Sequence, residues 1–166
     1  MNLEKDKICK VNSLFNLESF KNLLANPTGA HMFKEFLEKE RSTNNLDFYF
    51  QVESYKNSPK VDKKMAGKIY STYIHDGADL QVNIYDEDRL KTIECLKKPT
   101  LDMFDVPQRV VFVMMYNDSY RRFLQEFVFL PFFFLLFSSL FSSSTLHFPL
   151  FFFRHLTIDL SNQLTK

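Results

Sequence analysis

Tryptophan is absent from this 166-residue chain, and glycine occurs only three times. No apolar/polar alternation leads into a hairpin turn, so a sheet-based fold finds no support. Only two cysteines are present, Cys9 and Cys95. They lie far apart, match no metal-ligand spacing, and read as reduced thiols of a reducing compartment. An excess of one charge is missing too: 21 Lys and Arg stand against 20 Asp and Glu. A nucleic-acid partner asks for a one-signed basic field, so that class is excluded. No phosphate-cradling glycine loop occurs, since GADLQVN and PTGAHMF lack the spacing. The histidines at 31, 75, 147 and 155 are scattered, and no Ser or Cys nucleophile stands beside a base. The residues therefore point to no catalytic centre, cofactor or metal. The opening MNLEKDKICK is charged and has no apolar stretch, so no secretory signal is expected. No internal repeat is visible.

What is present is unevenly spread. Of 20 Phe, nine lie in residues 1–126 and eleven in 127–153. Beyond residue 126 the only charged residues are Arg154, Asp159 and Lys166. Three regions are expected: an extension over 1–13, a domain over 14–126 and a Phe/Ser-rich tail over 127–166. The 27 uncharged residues from 127 to 153 are long enough to cross a hydrocarbon core of about 30 Å. Pro131, Pro149, His147, five Ser and Thr145 dilute that signal. Three readings stay open there: a membrane-inserted helix, an abnormal or alternative terminus of low complexity, and a buried soluble helix.

Residues 14–126 repeat apolar positions at helical spacing. Leu17, Phe20, Leu23 and Leu24 form one stripe. Thr28 is expected to cap a helix whose inner face is Met32, Phe33, Phe36 and Leu37. Asn44 or Asn45 starts the next, with Leu46, Phe48, Tyr49, Phe50, Val52 and Tyr55. Ser58-Pro59 marks a loop. Val61, Met65, Ile69, Tyr70, Tyr73 and Ile74 then recur at three and four, and residues 77–85 have turn character. Asp86, Glu87 and Asp88 open a helix that Lys97, Lys98 and Pro99 close, in keeping with the helix dipole. Leu90, Ile93 and Leu96 are its expected buried face. Asp105, followed by Pro107 and Gln108, reads as a capped start for Val110, Val111, Met114, Met115, Tyr120 and Phe123. The expected class is all-α, with about seven helices.

The order of these pieces resembles the regulator-of-G-protein-signalling (RGS) domain family over residues 14–125. SFKNLLANPTGAHMFKEFLEKERSTNNLDFYFQVESY follows Ser-Phe, Leu-Leu-x4-Gly, and Phe-x2-Phe-Leu-x2-Glu-x-Ser-x2-Asn-Leu-x-Phe. KIYSTYI, VNIYD and KPTLDMFDVPQRVVFVMMYNDSYRRFL follow in order. The resemblance implies a four-helix bundle plus a helical subdomain built from the chain ends, with the family's final helix missing or replaced here.

It also implies a function. Such domains bind the switch regions of activated G-protein α subunits (Gα) and speed GTP hydrolysis without supplying an acid or base, by holding the switches in the transition-state arrangement. Carried over position by position, Ser42 and Asn45 fall in the contact loop after FLEKE. Asn83 matches the asparagine that approaches the Gα glutamine and switch threonine. Met114 takes a position commonly held by Leu. Asp118 matches an acid that accepts a switch N–H, and Arg122 steadies that acid one turn on. Asn44 departs from the family, where many active members have Glu. A non-catalytic Gα-binding or scaffold domain, or an inactive truncated isoform, therefore remains as an alternative. The expected location is cytoplasmic, or the inner face of the plasma membrane if residues 127–153 make membrane contact, the membrane-inserted tail being one of the three open readings.

Overall fold

The computed structural model describes residues 16–126. Their seven α-helices are α1 (Leu17–Ala25), α2 (Pro27–Lys39), α3 (Asn44–Lys56), α4 (Lys63–Ile69), α5 (Asp86–Leu96), α6 (Asp105–Asn117) and α7 (Ser119–Leu124). A π-turn, Tyr70–Ile74, extends α4. The described residues contain no strand, and the fold is all-α, as the periodicity predicts. Cys9, the 1–13 extension, the fate of the family's final helix and all three readings of 127–153 lie outside the described residues.

Local chemistry sets the helix ends. Asn16 caps α1, its side-chain oxygen accepting the Ser19 N–H at 2.7 Å. The cap of α2 is Asn26, which accepts the Gly29 N–H at 3.0 Å. The expected cap, Thr28, is instead a helical residue. Pro27 has no N–H to satisfy and a fixed φ, so it fits the first helical position and moves the start two residues upstream. At Gly29 a Cβ would meet the Leu23 carbonyl oxygen at 2.7 Å, so only glycine permits this approach of α1 and α2.

Asp105 is not a cap either. It is the first residue of α6, where Phe104 takes the cap position with no side-chain bond. The Asp105 carboxylate is drawn away to Lys56 Nζ at 2.6 Å.

Two packing units share α6. In the first, α3 packs on α4 and α6, and α5 packs on α4 and α6. This is the expected four-helix bundle, filled by Leu46, Phe48, Val52, Tyr55, Ile69, Ile74 and Phe104, all essentially inaccessible. In the second, α1 lies on α2 and α2 on α7. Phe20 joins the two: its ring lies 5.4 Å from Phe33, 5.0 Å from Phe112 and 4.6 Å from Tyr120. Truncating a buried phenylalanine of this kind costs about 3–5 kcal/mol. The periodicity predicts much of this core but omits Ala66, Val82, Ile84, Met103, Phe104, Phe112 and Leu124, which are buried.

Helix α5 departs most from expectation. Leu90 is 62% exposed and Ile93 38%, whereas Thr92 is buried. The helix turns a polar face inward. The Thr92 hydroxyl donates to the Asp88 carbonyl at 2.8 Å, and the Arg89 guanidinium donates to the carbonyl of Ile74. The Thr92 bond lies within the helix; the Arg89 bond reaches outside it and outweighs the apolar stripe. Val61 likewise lies before α4 and is exposed.

Candidate functional site

Three chain segments supply the candidate residues, and each is set by a different device. The first follows α2. Arg41 has φ of +55°, the left-handed region. Its N–H bonds to the Glu38 carbonyl at 3.1 Å and the Ser42 N–H to the Leu37 carbonyl at 2.9 Å. That pair of bonds is a Schellman termination with arginine where glycine is usual. It reverses the chain and delivers Ser42, Asn44 and Asn45 at the start of α3. The Ser42 hydroxyl is fully covered, with no hydrogen-bond partner among the described residues. Thr43 takes the cap position of α3 without a side-chain bond. Asn44 and Asn45 are half-exposed, and neither side chain is spent on capping.

The second segment joins α6 to α7. Asp118 ends one helix and begins the next, with φ −113° and ψ −78°. Its side chain is 69% exposed, and its carboxylate accepts from Arg122 Nη1. The i,i+4 pairing inferred from the resemblance is therefore formed. Arg122 also reaches Glu40, with Nε to Oε1 at 2.7 Å and Nη2 to Oε2 at 2.9 Å. These bonds, Glu40 first and Asp118 second, push the guanidinium above its ordinary range. Glu40 was not among the residues singled out from the sequence. Its signal was the Glu of the Glu-x-Ser pattern, two residues before Ser42. Met114, one turn before Asp118, is half-buried.

The third segment is the connection from the π-turn to α5. Val82 and Ile84 plug into the core, at 1% and 6% exposure, and Asn83 between them points outward. The Val82 N–H bonds to the Tyr73 carbonyl at 2.8 Å. The Tyr73 ring in turn lies 5.6 Å from Phe48, one turn into α3. Asn83 is not left-handed, so the ordinary turn role of asparagine is not what holds it there.

The structure thus brings the Ser42–Asn45 loop and the Asp118–Arg122 pair together through Glu40. Asn83 is tied to α3 through Tyr73 and Phe48. Met114 shares α6 with Asp118. The site is an open polar surface of amides and one ion cluster. Among the described residues no group of three or more His, Cys, Asp or Glu is placed to hold a metal. No helix there is long and apolar enough to cross a membrane.

Comparison with known proteins gives the chain a family. The family described as "Regulator of G protein signaling domain" matches residues 19–132. The chain belongs to that family. Over 114 residues it is 39% identical to Regulator of G-protein signaling 1 of Equus caballus, covering 68% of this chain and 58% of that protein. It is 37% identical to Regulator of G-protein signaling 1 of Homo sapiens, covering 54% of the latter. Regulator of G-protein signaling 10 of Rattus norvegicus is 40% identical, with 62% of its length covered. The chain thus spans under two thirds of the length of these curated relatives. The resemblance read from SFKNLL through NDSYRRFL is borne out by all of these matches.

Proposed function

We propose that this RGS domain binds the activated, GTP-loaded form of a Gα subunit and accelerates its GTP hydrolysis. The observation that carries the reading is the Glu40–Arg122–Asp118 cluster beside the Ser42–Asn45 loop. A fork of two N–H groups fixes Arg122 on Glu40. Arg122 then holds the Asp118 carboxylate while that group stays largely exposed. An acceptor held in one orientation suits a switch backbone N–H and loses little entropy on binding. Asn45 and Asn83 add exposed or half-exposed amides. Met114 adds apolar contact.

Acceleration then needs no acid or base from this chain. Contacts stronger in the transition state than in the ground state are sufficient. Single-turnover GTP hydrolysis by a panel of Gα subunits tests this directly. Tighter binding to the fluoroaluminate form than to the GDP form is expected, because that form mimics the transferring phosphoryl group. Equal binding to both would remove the activator reading.

Asn44 favours a second reading, a Gα-binding or scaffold domain that does not accelerate hydrolysis. It replaces a frequent family glutamate with a neutral amide, so one charge-assisted contact is lost. Binding without acceleration would select this reading. Membrane contact through residues 127–153 is a separate proposal. It rests on their 27 uncharged positions and is tested by vesicle co-sedimentation of the full chain against one ending at Glu126.

A further inference from the structure

Arg89 is an unexpected cation to find covered. Its side chain is 13% exposed, on a helix whose Leu90 and Ile93 face solvent. Burying a guanidinium costs free energy unless its N–H groups find partners. The nearest carboxylate is a poor one: Asp86 lies 3.8 Å from Arg89 Nε and is 98% exposed. The stronger partner is the backbone carbonyl of Ile74, to which Nη1 donates. Ile74 is the last residue of the π-turn. Arg89 lies six residues beyond Asn83, in the first half of α5. The bond therefore closes residues 75–88 into a loop, joining the point where the chain leaves α4's extension to the helix that receives it.

We infer that Arg89 is a positioning residue that braces the loop presenting Asn83. Three observations converge on this. Residues 75–85 form no helix, and beyond His75, whose N–H closes the π-turn onto the Tyr70 carbonyl at 2.8 Å, only two of their N–H groups reach back to it: Leu80 to Thr72 at 3.3 Å and Val82 to Tyr73 at 2.8 Å. Both acceptors lie within two residues of Ile74, so releasing Ile74 loosens the strip they belong to. Asn83 follows directly after the second of those bonds and has no other anchor than its two buried neighbours. Arginine suits this task better than lysine, because its planar fork holds direction as well as charge. The inward turn of α5, which leaves Leu90 and Ile93 in solvent, follows from the same bond.

The inference rests on the proposed role of Asn83 toward Gα, so its test has an arm that does not involve Gα. In the full chain, Arg89→Met keeps the apolar stem and removes the donors. Amide hydrogen exchange at Leu80 and Val82 should then quicken at least tenfold, with exchange in α1, α2 and α6 unchanged. Unchanged exchange at Leu80 and Val82 would overturn the brace. If Arg89→Met does not fold, Arg89→Lys is read in the same way.

The second arm measures single-turnover GTP hydrolysis by a Gα subunit. Arg89→Met should lower acceleration about tenfold. Asn83→Ala should lower it at least as much. In the Asn83→Ala background, Arg89→Met should change it by less than about twofold, because a residue acting through Asn83 has nothing left to position. Additive losses would overturn the inference and leave Arg89 as general support. No acceleration by the unmutated chain would overturn the Gα reading itself, and the exchange arm would still decide the brace.

Discussion

Arg122 grips Glu40 with two N–H groups, at 2.7 and 2.9 Å, across 82 residues of sequence. The contact fastens α7 to the end of α2, and it holds Arg122 in place for Asp118 one turn earlier. The group that orients the acid is itself oriented from another helix. Glu40 is therefore as much a part of this surface as the residues expected to touch a partner.

Arg122→Gln is expected to reduce acceleration of GTP hydrolysis at least tenfold, about 1.4 kcal/mol of transition-state stabilisation. The side chain is 43% exposed, so its ion pairs add little to stability, and the melting temperature should move by only a few degrees. Arg122→Lys should fall between the two, because a point charge cannot fork across Glu40 and Asp118 together. Equal acceleration by all three proteins in single-turnover assays would take the cluster out of the site.

Restoring the family's usual charge is the complementary test. Asn44→Glu should raise acceleration, by about threefold or more, if a charge-assisted contact is what the loop lacks. The half-exposed position accepts the larger acid without burying it. A fall in acceleration would show that this chain's partner prefers a neutral amide there.

How much of this was legible in the sequence varies with the kind of force involved. Phe20, Phe33, Phe36, Leu46, Phe48, Val52 and Tyr55 are core residues readable from periodicity, because burial is set by helical spacing. The α2 start was misplaced at Thr28 because Asn26 and Pro27 act as a pair, and a single-residue capping rule favours the hydroxyl. Leu90 and Ile93 were misassigned for a different reason. Their helix is oriented by Arg89 bonding to the Ile74 carbonyl, and a hydropathy pattern carries no record of such a bond. Glu40 carries a local mark in the Glu-x-Ser pattern, but its role does not show there, since its partner is 82 positions away. The pairing of Asp118 with Arg122 could, since four residues make one helical turn.

Arg41 occupies the left-handed position that ends α2. A residue with a Cβ is held there at a cost of about 1 kcal/mol relative to glycine. Arg41→Gly should raise the melting temperature by a few degrees, and Arg41→Val should lower it, because a β-branched side chain tolerates that region least. Differential scanning calorimetry distinguishes the two directions.

Burial also makes a prediction for alkaline solution. The phenols of Tyr49, Tyr55, Tyr73 and Tyr120 are all raised above 10.0, with burial the leading cause in each, and Tyr120 is raised furthest. A group with a higher pKa when folded contributes fully below its unfolded value, and that contribution is lost as pH rises from there through the folded value. Urea unfolding should therefore show stability that holds up to about pH 10 and falls above it. Tyr120→Phe should make the fall shallower. An unchanged slope would mean that other groups govern alkaline unfolding.

The packing of Phe20 against Phe112 and Tyr120 has a consequence for the order in which the protein is made. One member of the cluster leaves the ribosome 100 residues ahead of Tyr120. At roughly 5–20 residues per second, α1 waits about 5–20 s for the aromatic rings that complete its burial. During that interval Phe33 can cover it from α2, since the two rings are only 13 positions apart. Nascent chains halted before Tyr120 should therefore hold α1 only loosely, and should present Phe20 to a chaperone until α7 emerges.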